Sequence, residues 1–352
     1  MNLKTEITKL HYTKEPKGLL FGVLKFCSIF YGLGSGFKNL LYDKKILKPK
    51  KVDAFVISVG NFTTGGVGKT PVVAEIARYF VDKGERVAIV SRGYGGKLDN
   101  KNVNLISDGI NLYYKADMAG DEPYWLAVNL NMCAVLTCSN RVKAAEYAIK
   151  ELGVTKIILD DGFQHRKMAR DLDVVLVDSE KMFGNENLLP AGPLREGTEG
   201  FDRVNKLVVV SKNVDHTRAE KIARILDKKF MRDKKSAHNA ENSSATTLLC
   251  RVEPDYCYNI ISGEHLSAGA EITALSAIGQ PEQFYKFLEK DYKLVNKVTF
   301  DDHHQYVLED VANIDGIIVT TEKDAVKLSL LGKDNIYALK LKTVLDVDGL
   351  LK

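Results

Sequence analysis

The sequence has few of the residues that stabilise small secreted or metal-dependent folds. Its 352 residues include one tryptophan, eight prolines and five cysteines, and no cysteine has the spacing of a metal-binding motif. No short repeat or low-complexity tract occurs. Cys133 and Cys138 flank an apolar run, where both would act as small core residues in a reducing, cytoplasmic setting. What remains is a globular chain with 45% hydrophobic residues, long enough for about two domains.

Arginine is absent from residues 1–51, which hold eleven lysines and three acidic residues and therefore carry a net charge of +8. Since the whole chain carries +4, the other 301 residues carry −4. Residues 1–51, called the basic head below, thus precede a mildly acidic remainder. This distribution of charge argues against broad nucleic-acid binding and favours one localised contact with an anionic surface.

The basic head contains a long apolar stretch at residues 18–42. On a helix this stretch has a wide apolar face and one narrow stripe of polar or small residues, namely Lys25, Ser28, Gly32, Ser35 and Asn39. The glycines and lysines within and around it favour a helix lying in the membrane interface over one spanning the bilayer. A secretory signal and a helix packed on the protein's own core are the alternatives.

After this head, strand patterns alternate with helical patterns. Strands are predicted at 52–59, 86–91, 133–138, 156–160, 173–177 and 206–211, with helices at 71–83, 122–130 and 140–152. A smaller set follows, with strands at 246–252, 272–277, 293–299, 316–320 and 335–340 and helices at 281–290, at 305–312 and from residue 323. The alternation predicts an α/β fold in which helices cover both faces of a parallel sheet.

The same pattern divides the chain into four parts. Residues 1–50 form a basic amphipathic, membrane-associating segment, and residues 51–227 form the larger α/β domain. A polar, charged linker at 228–245 leads to a C-terminal α/β domain at 246–352.

Residues 52–70 are predicted to be a buried strand that runs into a glycine-rich turn. In such turns the backbone N–H groups approach phosphate oxygens, a lysine faces the β- and γ-phosphates, and a threonine hydroxyl can ligate Mg²⁺. The predicted nucleotide-binding residues are Thr63, Thr64, Gly65, Gly66, Val67, Gly68, Lys69 and Thr70. Thr63 stands where the usual P-loop pattern has glycine, so an ordinary glycine-rich turn is the alternative. Pro71 is expected at the first position of the next helix.

A second polar cluster follows the strand at 156–160, which ends in Asp160 and Asp161. An acid at this place beside a nucleotide holds Mg²⁺ directly or through water, and Asp160 is the better placed, with a cap or turn role as the alternative. Gln164 and His165 add an amide and a titratable imidazole. Arg92, in a glycine-rich segment, could pair bidentately with a phosphate.

Three further segments carry charge. Asp121 precedes a predicted helix, and from local sequence it is best interpreted as the N-cap. Residues 189–196 form a stiff loop that presents Arg195 and Glu196. Residues 300–306 combine acids with histidines, and zinc is a minority interpretation there because further ligands at helical spacing are missing.

Taken together, these segments resemble one family, the tetraacyldisaccharide 4′-kinases that make the lipid A precursor lipid IVA. The matching motifs, in family order, are SVGN at 58–61, GGVGKTP at 65–71, SRGYGG at 91–96, GDEP at 120–123, DDGFQH at 160–165, LPAGPLRE at 189–196, AIGQPEQF at 277–284, DDHH at 301–304 and TEKDAVK at 321–327. They cover nearly the whole chain after residue 55, and the family's own loop shares the departure at Thr63.

The resemblance implies a P-loop NTPase-like kinase domain at 51–227 and transfer of the γ-phosphate of ATP, with Mg²⁺, to the 4′-hydroxyl of an acylated disaccharide 1-phosphate. It makes Asp121 the catalytic base and His303 its hydrogen-bonded partner, in place of the local interpretation of Asp121 as a cap. The implied metal ligands are Thr70, Asp160, Asp161 and Glu196. The implied substrate-binding residues are Asn61, Arg92, Gln164, His165 and Arg195.

The resemblance also implies a peripheral or monotopic enzyme on the cytoplasmic face of the bacterial inner membrane. Its acylated disaccharide lipid would lie near the N-terminal helix, which would contact the anionic membrane surface. No nucleic acid and no obligate protein partner is expected. The alternative is a membrane-associated P-loop partitioning or switch ATPase, but those proteins carry a signature lysine where this chain has Thr64. A nucleotide-binding module without catalysis would leave Asp121 and the 301–304 cluster unexplained.

Overall fold

The computed structural model describes residues 3–213, 215–236, 247–279, 281–301 and 304–352, which contain one sheet of twelve strands. In chain order the strands are β1 (Phe55–Asn61), β2 (Val87–Ser91), β3 (Asn104–Ser107), β4 (Cys133–Thr137), β5 (Lys156–Asp160), β6 (Leu172–Asp178), β7 (Lys206–Ser211), β8 (Thr247–Asn259), β9 (Glu271–Ser276), β10 (Lys293–Thr299), β11 (Ile317–Thr321) and β12 (Ile336–Val344). Across the sheet they follow the order β10-β9-β11-β12-β8-β7-β6-β1-β5-β2-β4-β3.

The helices found in the described residues are α1 (Leu3–His11), α2 (Leu19–Asp43), α3 (Lys69–Asp82), α4 (Ala116–Ala119), α5 (Asp121–Asn129), α6 (Arg141–Leu152), α7 (Thr217–Ser236), α8 (Pro281–Leu288), α9 (Leu308–Ala312), α10 (Glu322–Leu328) and α11 (Val347–Leu351). Short 3₁₀ helices occur at Thr198–Arg203 and Ser329–Leu331. The predicted α/β class, with a mainly parallel sheet covered on both faces, is confirmed.

The first half of the sheet brings the carboxyl ends of several parallel strands to one edge. Strand β1 lies between β5 and β6, so that Val59 is paired with Asp160 on one side and with Val174 on the other. Alternate residues face opposite layers: Ile57 packs in the cluster that contains α3 and α5, and Val56 packs in the cluster that contains α6. A sheet covered on both sides needs such continuous apolar strands.

Strand β8 joins the two halves of the sheet. From Thr247 to Arg251 it pairs in parallel with β7, and from Arg251 to Asn259 it pairs antiparallel with β12. Hydrogen bonding therefore continues across the position of the predicted domain boundary. The division into domains at 51–227 and 246–352 stays a prediction.

The second half of β8 differs from the sequence-based expectation, which ends that strand at residue 252. Pro254 interrupts the strand pattern because proline cannot donate a ladder hydrogen bond. In the structure Pro254 stands opposite Leu341, next to an irregular register between Leu339 and Leu341. This irregularity lets the strand continue past the proline.

Helix α7 differs as well, because the predicted linker at 228–245 begins as the end of this helix, which extends to Ser236. Residues 237–246 lie outside the described residues. Strand β3 and helices α4 and α11, which are short, are absent from the sequence-based prediction, and so are the longer helices α1 and α7.

Helix α2 contacts the protein through its polar stripe. Ser28 Oγ donates to the Leu188 carbonyl at 2.9 Å and accepts from the Ala191 N–H at 3.1 Å, while Gly32 provides room for the Leu188 side chain. The apolar face is exposed, with Leu19, Val23, Phe26, Ile29, Phe30, Leu33, Phe37 and Leu40 all exposed. The helix is long and apolar enough to cross a membrane, and only 6% of its most apolar window is buried.

One stability prediction follows from the close approach of β1 to the turn after β5. A Cβ on Gly60 would lie 2.5 Å from Phe163 Cβ and 2.9 Å from its backbone nitrogen, so the backbone would have to move. We expect Gly60→Ala to lower the free energy of unfolding by about 1–3 kcal/mol, as overpacking does. Gly34→Ala is the control, since Gly34 lies in α2 with open space around it and the change should be neutral or stabilising by up to about 1 kcal/mol. Equal denaturation midpoints for Gly60→Ala and the wild type would contradict this account.

Candidate functional site

The phosphate loop begins where β1 ends. Gly68 caps α3 with a φ of 100°, and a Cβ there would lie 3.1 Å from Val210 and 3.2 Å from Lys212. Helix α3 starts at Lys69, so the N–H groups of its first turn are available to an anion. Pro71 is the third helical residue, and the prediction that it opens the helix is wrong. Its missing N–H has no cost there, because first-turn N–H groups have no partner within the helix.

Lys69 and Asp161 form the charged centre of this edge. Lys69 Nζ donates to Asn61 Oδ1 at 3.1 Å and lies 3.4 Å from Asp161 Oδ1. Asp161 adopts a φ of 57°, and Arg195 Nη1 contacts its two carboxylate oxygens at 2.8 and 2.7 Å. Burial opposes ionisation, but Lys69 and Arg195 together hold the pKa of Asp161 below its ordinary value. The carboxylate is therefore ionised and shared between two cations.

Asp160 has a different environment. It is 4% exposed, and its Oδ1 has no hydrogen-bond partner among the described residues. Burial, and then the nearby Glu122 carboxylate, raise the pKa of Asp160 to about 7 although Lys69 and Arg141 oppose the change. An unpartnered buried carboxylate oxygen fits a bound cation.

These residues fit an open Mg²⁺ site better than a metal site closed by protein ligands. In the part of the chain that the structure describes, no three His, Cys, Asp or Glu side chains gather to hold a metal. Mg²⁺ is commonly bound by one or two carboxylates, waters and substrate phosphates. Asp160 and the Thr70 hydroxyl, at the start of α3, could supply the protein's share of such a shell.

Glu196 joins the loop at 189–196 to helix α2. Gln164 Nε2 donates to Glu196 Oε1 at 2.9 Å and to the Asn61 carbonyl at 3.0 Å. Asn39 Nδ2 and Arg203 Nη2 donate to Glu196 Oε2 at 3.0 and 2.7 Å. Both carboxylate oxygens thus accept from protein donors, and these contacts give Glu196 a structural task. Its predicted contact with metal stays a prediction.

His165 and Arg92 lie on the outer side of the same cluster. Burial, and then the charge of Arg141, lower the pKa of His165 to about 4, so its imidazole is neutral at physiological pH. His165 Nε2 has no hydrogen-bond partner within the described ranges. Arg92 is exposed and lies close enough to Arg141 to lower its pKa together with burial. Arg92 therefore offers an exposed charge, whereas His165 holds a buried ring nitrogen with no partner in the part of the chain that the structure describes.

Asp121 is the first residue of α5, after Gly120 with a φ of 91°. It is 8% exposed, and its Oδ2 lies 2.9 Å from Lys327 Nζ. The start of α5 lies beside the segment that follows β2, because a Cβ on Gly120 would lie 2.8 Å from the Tyr94 carbonyl oxygen. Since β2 pairs in parallel with β5, which ends in Asp160, the start of α5 lies at the same edge of the sheet as the phosphate loop. The predicted partner His303 lies outside the described residues, as do Asp302 and Gln280.

His304 is a structural residue. Its Nε2 contacts Asp310 Oδ2 at 2.8 Å, and its ring stacks on Phe300. Asp301, before it, is exposed. Of the DDHH motif, the described residues therefore show one histidine with a folding role.

Several site residues were missed by sequence reasoning. Arg141, at the start of α6, interacts with both Asp160 and Asp161, and Arg203 holds Glu196. Tyr12 donates from its hydroxyl to the Thr64 carbonyl at 3.2 Å, although it comes before α2 in the chain. Lys327 lies within the TEKDAVK motif, which was the one available signal, whereas the others depend on contacts between distant segments.

The similarity of this chain to known proteins extends over nearly its whole length. A family model described as LpxK, tetraacyldisaccharide-1-P 4'-kinase, matches residues 20–352. The chain belongs to this family. A tetraacyldisaccharide 4'-kinase of Syntrophus aciditrophicus is 36% identical over 342 residues, covering 91% of this chain and 87% of the relative. One from Francisella tularensis subsp. novicida is 33% identical over 350 residues, covering 97% and 100%.

A solved LpxK structure agrees with the fold. The crystal structure of LpxK from Aquifex aeolicus, described as an "apo" form in complex with ATP, has a TM-score of 0.73 and 31% identity, covering 95% of this chain and 97% of that one. The LpxK assignment confirms the predicted enzyme class, a tetraacyldisaccharide 4′-kinase of lipid A biosynthesis. It favours this function over a partitioning or switch ATPase.

Replacing Asp160 or Asp161 by asparagine should change the free energy of unfolding in opposite directions. The pKa of Asp160 is about 7 in the folded protein and about 4 in the unfolded chain. Between these two pH values the folded protein keeps a proton that the unfolded chain has lost. The free energy of unfolding therefore falls as the pH rises from about 4 to about 7. We expect Asp160→Asn to raise the free energy of unfolding of the nucleotide-free protein by about 1–3 kcal/mol near pH 8, a gain that shrinks towards pH 4. Asp161→Asn should destabilise near pH 8, because it leaves Lys69 and Arg195 without their carboxylate. Urea denaturation in EDTA at both pH values measures this, and equal signs for the two variants would contradict it.

Proposed function

We propose that this LpxK-family chain binds ATP and Mg²⁺ at the edge formed by the phosphate loop and Asp160, and that Asp121 accepts the proton of the attacking 4′-hydroxyl. The observation that carries the proposal is that the phosphate loop and the start of α5 lie at one edge of the sheet. Lys69 Nζ is 3.4 Å from Asp161 Oδ1, directly after Asp160, and a Cβ on Gly120 would lie 2.8 Å from the Tyr94 carbonyl oxygen that follows β2. The pKa of Asp160 responds to both Lys69 and Glu122, in agreement with this arrangement. Lys69 begins the helix after the phosphate loop, and Glu122 follows the proposed base. Nucleotide and acceptor would therefore meet at one place.

The nucleotide side is assigned from the contacts of the loop. The first-turn N–H groups of α3 and the Lys69 ammonium would receive the β- and γ-phosphates. Asp160 and Thr70 would hold the metal, which when bound neutralises phosphate charge in the transition state. Asp161 keeps Lys69 and Arg195 in place, and Arg195 is oriented further by Gln164 Oε1 at 3.4 Å. The complex of Aquifex aeolicus LpxK with ATP supports the assignment of this nucleotide.

The acceptor side is assigned to α5 and, by motif, to His303. Asp121 takes the proton from the 4′-hydroxyl while that oxygen bonds to the γ-phosphorus, and the bond from this phosphorus to the β,γ-bridging oxygen breaks to release ADP. Because phosphoryl transfer depends mainly on in-line positioning and charge stabilisation, the protein's task is to fix these groups relative to one another. Arg92 and His165 are proposed to receive polar groups of the substrate.

Removal of the proposed base should separate turnover from nucleotide binding. General base catalysis contributes about 10²–10⁴-fold, so Asp121→Asn should lower kcat by a factor in that range and leave the Kd for ATP unchanged. The assay follows label from ATP into the acylated disaccharide 1-phosphate. Lys69→Ala is the matched comparison, since it should weaken ATP binding itself. Turnover of Asp121→Asn within about threefold of the wild type would remove Asp121 from this role.

We further propose that α2 places the enzyme on the cytoplasmic face of the inner membrane. Its polar stripe already bonds to the protein, so its exposed apolar face needs a different apolar environment. Lysines flank the helix on both sides, which suits anionic headgroups. A mostly apolar groove of about 630 Å³, lined by residues that include Ile29, Leu33, Phe37 and Leu188, lies between α2 and the loop at 186–188. An acyl chain of the substrate is its proposed occupant.

Three glutamates on the exposed apolar face of α2 should release the protein from membranes. We expect Phe26→Glu, Phe30→Glu and Phe37→Glu together to abolish binding to vesicles that contain anionic lipid, measured by flotation. Deleting the helix is a poorer test, because Asn39 and Tyr31 of α2 bond to Glu196 and to the Arg195 carbonyl. The matched control places glutamates at Ile261, Val295 and Leu330, which are exposed apolar residues in the C-terminal half. Equal binding of both triple variants would contradict the assignment.

A further inference from the structure

We propose that Lys327 is a positioning residue for Asp121, supplied by the C-terminal half of the chain. Lys327 Nζ lies 2.9 Å from Asp121 Oδ2, and the two side chains are 5% and 8% exposed. The inference rests on the proposed role of Asp121 as the base. It adds a residue that holds the carboxylate in position.

Burial makes this contact consequential. A carboxylate removed from water is strongly disfavoured unless a cation or several donors compensate it, and loss of the cation leaves an uncompensated buried charge. Asp121 is thus held by a lysine that comes from more than two hundred positions later in the sequence. Removal of this ammonium would take away one buried charge partner and one fixed contact of the carboxylate, so the position of Asp121 would be less well defined.

Helix α10, which carries Lys327, is itself fixed at both ends. Near its start, Asp324 Oδ2 accepts from the Ala277 N–H and from Thr321 Oγ1, both at 2.9 Å. Near its end, Lys327 Nζ also donates to the His304 carbonyl at 3.1 Å. The ammonium therefore links Asp121 to the backbone of the DDHH segment, and it sets the distance between α5 and the C-terminal half.

A second lysine across the same boundary provides a matched control. Lys340 pairs with Glu322 of α10 at 2.7 Å and reaches Asn129 Oδ1, at the end of α5, at 3.4 Å. It therefore joins the same two helices without touching Asp121. If the lysines only hold the halves together, their removal should have similar effects. If Lys327 acts through the base, only its removal should reduce turnover strongly.

The test is a double-mutant cycle on the full-length enzyme, with labelled ATP and the acylated disaccharide 1-phosphate. We expect Lys327→Met to lower kcat by about 10–100-fold with the Kd for ATP unchanged, and Lys327→Arg to recover most of the loss. Lys340→Met should stay within about threefold of the wild type. In the Asp121→Asn background, Lys327→Met should cause no further loss, because the residue it positions is already absent.

The other outcomes of this experiment overturn either the inference about Lys327 or the base assignment of Asp121. Full turnover of Lys327→Met, equal losses for Lys327→Met and Lys340→Met, or a further loss in the Asp121→Asn background would each overturn the inference. Full turnover of Asp121→Asn would instead remove the base assignment on which it rests. If Lys327→Met does not fold, the neutral pair Asp121→Asn with Lys327→Met decides, compared with Asp121→Asn alone. Equal residual turnover then supports the inference, and a lower value overturns it.

Discussion

Burying a carboxylate costs free energy, and this cost explains why most acids of the site are paired with a cation. Asp161 is held by Lys69 and Arg195, Glu196 by Arg203, and Asp121 by Lys327. Glu196 and Asp121, whose side chains are 3% and 8% exposed, would be strongly disfavoured at that depth without compensating partners, whereas the Asp161 side chain is 35% exposed. Asp160 keeps one oxygen without a protein partner in the described structure and has a pKa of about 7, which leaves it as the acid with room for an external cation. The unpartnered oxygen of Asp160 is thus available to a cation in the described structure, and the metal contacts predicted for Asp161 and Glu196 stay predictions.

The local parts of the site could be predicted from sequence, because they follow from strand ends and turn residues that are close in the chain. The strand at 156–160, its two terminal acids and the glycine-rich turn before Lys69 all lie where the pattern places them. The Pro71 position was wrong because helix α3 begins within the loop itself. The second half of β8 was missed because Pro254 conceals a strand that an irregular register accommodates.

The remaining parts depend on contacts between distant segments, which periodicity does not encode. The polar stripe of α2 was evident, but its partners at Leu188, Ala191 and Glu196 depend on the tertiary fold. The result is a helix whose polar side faces the protein and whose apolar side faces outward. This arrangement couples the exposed apolar helix to the loop that carries Arg195, since Tyr31 of α2 donates to the Arg195 carbonyl at 2.8 Å.

The antiparallel pairing of β12 with β8 has a consequence for synthesis. Until β12 emerges from the ribosome, the segment Arg251–Asn259 has an open edge, and an open edge invites pairing with other chains. Val347 and Leu350 of α11, made later than β12, also complete the apolar cluster against α3. A nascent chain therefore holds the phosphate loop long before it has Lys327 and β12. Premature termination near the C-terminus would leave an aggregation-prone fragment in place of a weakened kinase.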